Sequence, residues 1–129
     1  MISIPSAFAP SYAQARVKFL EAAATASTAI RSFKHPLPGR DGEQLAMDVA
    51  LDGDPASERL LIVSSACHGV EGYCGSGVQV FALHDDEWRA KARDAGVAVL
   101  YIHALNPWGF SHIRRMTQEN VDLNCNFHD

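Results

Sequence analysis

The sequence predicts an α/β domain built on a mixed, mainly parallel sheet that is flanked by helices. Two continuous apolar runs, at residues 60–63 and 97–102, have the length and composition of strands buried on both faces. The stretch between them keeps a helical period, which predicts a strand-helix-strand unit. With 129 residues, 47% of them apolar, the chain has the size and core of one domain. We therefore expect a single domain over residues 1–129.

The N-terminal part predicts a helix followed by a hairpin. Ser11 and Gln14 have the spacing of a capping box, and apolar residues then recur at steps of three and four, which predicts a helix over residues 11–29. Prolines and glycines between 36 and 42 mark a turn. Apolar and polar or small residues alternate from 44 to 51, which predicts a half-buried strand paired with another near 31–35.

The segment between the two apolar runs predicts helical structure with one break. Its apolar residues, from Val78 to Ala95, keep a rough helical period. His84, Asp85 and Asp86 interrupt that period, and Gly96 is typical of a helix end. The carboxyl ends of strands in such sheets are where active sites lie, so loops 65–75 and 104–129 are the candidate functional loops.

Composition excludes several functional classes. The net charge is −4 and Lys and Arg cluster only at Arg114-Arg115, so nothing indicates a nucleic-acid or membrane surface. Three cysteines without a Cys-x-x-Cys spacing predict neither a disulfide framework nor a Cys-rich zinc site. The first residues lack the pattern of a secretion signal. We expect a cytoplasmic protein that acts on small molecules or peptides.

His68 and Glu71 form a His-x-x-Glu pair just after the first apolar run. An imidazole and a carboxylate at this spacing can both bind one zinc ion, at roughly 2.0–2.2 Å. The pair alone is weak evidence, because two polar residues at this spacing often occur by chance. Gly69 and Gly72 beside it permit a tight turn at a strand end. A catalytic zinc also needs a third protein ligand, which the pair does not supply.

A second polar group follows the second apolar run. It consists of Asn106-Pro-x-Gly, the pair Arg114-Arg115, and the amide-rich segment 120–127. Asn-Pro-x-Gly by itself is typical of a type I or II turn, and the other residues are ordinary solvated loop formers. Their position beyond a strand end favours a functional role instead.

Taken in order, these motifs resemble the N-terminal half of the M14 zinc carboxypeptidase family. The matching segments are His68-x-x-Glu71, Asn106-Pro-x-Gly-Phe110, an arginine, and Asp122-Leu-Asn124-x-Asn-Phe127, within residues 58–129. The chain is most similar to the bacterial branch known as DUF2817, and more distantly to the aspartoacylase-like deacylases. The resemblance implies a zinc-carboxypeptidase-like fold, apparently truncated, and a hydrolase of peptide or amide bonds.

The resemblance also implies roles for particular residues. His68 and Glu71 would be zinc ligands, with Zn²⁺ as the cofactor. Arg115 would polarise the scissile carbonyl and stabilise its oxyanion, with Arg114 as the alternative if the register differs by one. Asn124 would bind the carboxylate of a peptide or N-acyl amino acid substrate.

Two departures from the family pattern limit these implications. Cys125 stands where the family has an arginine, and a thiol cannot bind a carboxylate through two parallel hydrogen bonds. The family's third zinc ligand and general base have no matching residues in this chain. His128 is our first candidate for a substitute ligand, followed by His112, whereas His103 at a strand end is more typical of a core histidine.

These departures lead to two further expectations. The chain alone should be inactive, and the alternatives are a truncated or degenerate non-catalytic domain, or an aspartoacylase-like deacylase in the complete enzyme. A truncated sheet would also leave apolar surface and strand edges uncovered, so we expect self-association.

Overall fold

The computed structural model describes residues 2–127, which form a mixed four-stranded sheet with helices packed against one face. The strands are β1 (Ala29–Pro38), β2 (Gln44–Asp52), β3 (Arg59–Ser64) and β4 (Val97–His103). The helices are α1 (Ile4–Ala7), α2 (Tyr12–Thr25), α3 (Gly72–His84), α4 (Asp86–Asp94) and α5 (Pro107–His112), with a 3₁₀ turn at Gly69–Glu71. None of the helices within residues 2–127 has the length and apolar character needed to cross a membrane.

The strand order is β1-β2-β4-β3. β3 and β4 are parallel and are connected through α3 and α4, whereas β1 with β2 and β2 with β4 are antiparallel. The predicted α/β class and the strand-helix-strand unit are confirmed. The expected parallel character holds only for β3 and β4, because within residues 2–127 the hairpin joins the sheet through antiparallel pairs.

The capping signals in the sequence define the helix ends. The Ser11 hydroxyl accepts the Gln14 N–H at 3.2 Å, so α2 begins where it was predicted. It ends at Thr25 and not near residue 29, because Ser27 adopts a positive φ of 57° and turns the chain into β1. The break before α4 is also confirmed, since the Asp85 carboxylate accepts the first N–H groups of that helix.

The covered face of the sheet packs against α2 and α3. The cluster between them combines Phe19 from α2, Val80 and Leu83 from α3, and Val99 and Tyr101 from β4. Alanines of α2 and Ala50 of β2 are fully buried in it, and such small side chains permit a close approach of helix and sheet.

The two faces of β2 differ from the simplest interpretation of its alternating pattern. Ala46, Asp48 and Ala50 are fully buried under the helices, whereas Met47 and Val49 are half-buried on the opposite face. The Asp48 carboxylate is held there by the Arg16 guanidinium, at 2.7 and 3.0 Å. Met47 and Val49 therefore point away from α2 and α3. Leu45, near the start of the strand, is instead fully buried in a cluster with Tyr12 and Phe110.

β3 is an edge strand, and the prediction that both of its faces are buried was wrong. Leu60 and Ile62 are 55% and 56% exposed. Within residues 2–127, β3 has a neighbour on only one side, and no helix covers the face that these side chains occupy. Leu100 and Ile102 of β4 lie on the same face and are only half-buried, although the apolar run 97–102 was also predicted to be buried on both faces.

Candidate metal site

The loop that follows β3 carries His68 and is fastened to the loop that follows α5. The Gly69 N–H donates to the Arg115 carbonyl and the Val70 N–H donates to the Arg114 carbonyl, both at 3.2 Å. A Cβ atom on Gly69 would overlap the backbone of Gly109 in α5. Only glycine fits this close approach, so the 3₁₀ turn after His68 depends on Gly69.

Asn106 begins α5 and does not form the isolated turn that its sequence motif suggested. Its side-chain oxygen accepts the Gly109 N–H at 2.8 Å, with Pro107 in the first turn, as is common at helix starts. The backbone N–H of Asn106 donates to the Ala66 carbonyl at 2.9 Å. These bonds hold the two candidate functional loops side by side.

His68 lies between two carboxylates. Its Nδ1 is 3.2 Å from Oε1 of Glu71, and its Nε2 is 2.9 Å from Oδ1 of Asp122. The His68 side chain is 12% exposed and that of Glu71 is 67% exposed. The two predicted ligands are thus brought together at the surface, with an accessible carboxylate.

Asp122 is a functional candidate to which the sequence analysis gave no role. Its Oδ2 accepts a hydrogen bond from Nε of Arg115 at 3.1 Å and lies 3.0 Å from Nη2 of the same guanidinium, and its Oδ1 also accepts the Asn124 N–H. Partial burial alone would raise the pKa of Asp122, but the bonds from His68, Arg115 and the Asn124 N–H outweigh it and lower the pKa to about 2. Asp122 is therefore ionised at neutral pH.

The remaining predicted site residues take different positions. Arg115 brings its guanidinium to the Asp122 carboxylate and keeps 54% of its side chain exposed. Arg114 joins the site through its backbone carbonyl, and Asn124 through its backbone N–H. Cys125 is exposed, and its N–H donates to the Asp122 carbonyl.

The residues considered as a third ligand do not join His68 and Glu71. Within residues 2–127, no group of three His, Cys, Asp or Glu side chains is arranged to hold a metal ion. His103 is fully buried beside Ser76, as expected for a core histidine, and His112 stacks on Trp108 at 4.3 Å. His128 lies outside the described residues.

Cys67 reports the electrostatic character of the site. Burial is the main cause that raises the pKa of its thiol, and the negative charges of Asp122 and Glu71 and the neighbouring Cys125 raise it further. Burial and the two carboxylates together therefore disfavour the thiolate form of Cys67.

The chain is similar to a protein family in sequence and to a solved structure in fold. A family model described as "Protein of unknown function (DUF2817)" matches residues 8–129. A solved glutaminyl cyclase from Porphyromonas gingivalis is similar over 82% of this chain and 46% of that one, with 18% identity and a TM-score of 0.44. The chain thus spans about half the length of that structure. None of the curated proteins matches.

Proposed function

This chain belongs to the DUF2817 family, and we propose that its His68 and Glu71 are two ligands of a zinc site in a hydrolase of peptide or amide bonds. The observation that carries the proposal is the position of His68 between Glu71 and Asp122. The third ligand and the general base would come from outside residues 2–127. Residues 1–129 would then be the N-terminal part of an M14-like domain.

The hydrogen bond to Asp122 supports Nδ1 of His68 as the nitrogen that would bind the metal. Because Asp122 is ionised, it accepts the proton on Nε2, and a neutral imidazole then has its lone pair on Nδ1. That lone pair faces a Glu71 carboxylate oxygen, which is also an acceptor. These two atoms would together hold a bound cation, which would remove the repulsion between them.

The distance between these two atoms suits a shared zinc ion. Nδ1 of His68 and Oε1 of Glu71 are 3.2 Å apart. Two ligands at roughly 2.1 Å in tetrahedral geometry are separated by about 3.4 Å, so a small side-chain movement is sufficient. A carboxylate behind a metal-binding histidine, as Asp122 is here, is the usual way in which proteins orient such a ligand.

The remaining proposed roles are polarisation of the scissile carbonyl, stabilisation of its oxyanion and binding of the substrate. A bound zinc ion supplies Lewis-acid chemistry at the scissile carbonyl. Arg115 is held by Asp122 and keeps more than half of its side chain exposed, so its guanidinium can approach the oxyanion of a bound substrate. Asn124 and Arg114 remain the proposed contacts for a peptide or N-acyl amino acid, and Cys125 argues against tight binding of a terminal carboxylate.

The alternative of a non-catalytic domain is favoured by one observation. Within residues 2–127, the site offers two neighbouring donors and lacks a third. We therefore expect this chain alone to show no turnover of peptides or N-acyl amino acids, even with added zinc. Turnover that persists in excess chelator would overturn the zinc assignment.

Zinc binding by the purified chain tests the proposal directly. We expect about one zinc ion per chain after equilibration and gel filtration, measured by elemental analysis, and its loss in His68→Ala and Glu71→Gln. His84→Ala, at the end of α3, is the matched control and should keep its zinc. Equal zinc contents in all four proteins, with folding checked by circular dichroism, would contradict the proposed ligands.

A further inference from the structure

The face of the sheet opposite α2 and α3 is a continuous apolar surface, here called the open face. We define it by Met47, Val49, Leu60, Ile62, Leu100 and Ile102. The strand register places these side chains beside one another, because Val49 pairs with Ile102, and Leu100 pairs with Ile62. Residues paired across strands point to the same side of the sheet.

The described part of the chain does not cover this surface. The hydrophobic clusters take Ala50, Val99 and Tyr101 from the alternate strand positions, and none of the six residues of the open face belongs to them. Leu60 and Ile62 are more than half exposed. On β2, Met47 and Val49 lie on the open face, whereas Ala46 and Ala50 lie on the covered face. Large apolar residues on the open face favour its burial as well.

The total surface area indicates how much cover is missing. The chain exposes 7403 Å² and has a mass of 14.0 kDa. A folded monomer of this mass is expected to expose about 6,700 Å². The excess, about 700 Å², is close to the roughly 800 Å² that each partner buries in a standard protein interface.

We propose that two copies of this chain pack open face to open face. A two-fold axis brings the same patch against itself, so a charged patch would repel its copy. The six residues of the open face are uncharged. Arg31 on β1 pairs with Val49 and therefore lies on the same side of the sheet, where its guanidinium lies over the Phe33 ring at 5.6 Å from the ring centre. Two twisted sheets with apolar faces pack about 10 Å apart, as in β-sandwiches. The proposal does not depend on the zinc site.

Sedimentation of the wild-type chain and of two matched variants tests this interface. We expect the wild type to be a dimer at concentrations of tens of micromolar and to dissociate on dilution. Ile62→Lys places a charge at a 56% exposed position of the open face and should raise the dissociation constant at least tenfold. Val17→Lys, at a 53% exposed position on α2, is the control and should leave the dimer intact.

The remaining outcomes decide the proposal in either direction. Persistence of the dimer in 1 M salt supports an apolar interface, whereas dissociation by salt contradicts it. If circular dichroism shows that Ile62→Lys is unfolded, Leu60→Lys at the sheet edge replaces it with the same expected effect. A wild-type monomer at 100 µM, or a dimer that withstands a charge at either position, overturns the proposal.

Discussion

Two histidines lie near the carboxyl ends of the neighbouring parallel strands β3 and β4, but their surroundings differ. His103 ends β4 and is fully buried, with Ser76 at 2.9 Å and the Phe19 ring stacked on it at 4.6 Å. His68 follows β3, is 12% exposed and contacts two carboxylates. Burial lowers the pKa of His103 to about 4 and keeps it neutral. Chemistry at this edge of the sheet therefore depends on which loop leaves the strand, and not on the strand end alone.

His103→Ala should give the largest loss of stability, because His103 is the fully buried histidine of the two. The substitution leaves a cavity under Phe19 and removes the partner of the Ser76 hydroxyl. We expect a loss of about 3 kcal/mol in the free energy of unfolding, measured by urea denaturation. His68→Ala, in its more exposed loop, should cost clearly less. Equal losses would show that the two histidines do not differ in this way.

The pH dependence of stability sharpens the same contrast. Desolvation is the main cause that lowers the pKa of folded His103 to about 4. The charge of Asp48 raises this pKa and that of Arg16 lowers it, and both effects are smaller than that of desolvation. Between about pH 6.5 and 4 the unfolded chain therefore binds a proton that the folded chain does not. Stability from this group is complete above pH 7 and falls by up to about 3 kcal/mol as the pH approaches 4.

Urea denaturation at several pH values, compared with His103→Gln, isolates this contribution. Glutamine does not titrate, so the difference between the two proteins removes the effect of the other acidic and histidine side chains. We expect the wild type to lose more stability than the variant as the pH falls. Parallel pH profiles would contradict a buried neutral His103.

The sequence predicted the elements better than their surroundings. Capping at Ser11, the break at Asp85 and the core character of His103 all follow from local chemistry and were confirmed. The alternation in β2 predicted a strand but not which of its faces the helices cover. Both faces of a strand repeat every two residues, so the period alone does not distinguish them. The apolar run of β3 likewise predicts a strand, but it does not show whether that strand lies in the centre or at an edge of the described sheet.

The site was predictable only within a single loop. The spacing of His68 and Glu71 places them on one turn, and the structure brings their donor atoms to 3.2 Å. Asp122 lies 54 residues from His68, and no spacing rule connects them. Its place two residues before Asn124, within the resemblance, was the available signal. The contact itself depends on Gly69 and Gly109, which allow the two loops to approach.

Asp122→Asn should give the smallest effect, and it tests whether His68 is oriented as a metal ligand. The amide can still accept the proton on Nε2 of His68, but it lacks the negative charge that makes the ring a stronger donor and that holds Arg115. We expect zinc affinity to fall about 10- to 100-fold with only a small change in stability, measured by competition with a chelator. Asp41→Asn, which weakens an exposed pair with Arg40, is the control and should leave zinc affinity unchanged. An unchanged affinity in Asp122→Asn would mean that this carboxylate only ties two loops together, and His68 would then resemble His103 in having a structural role.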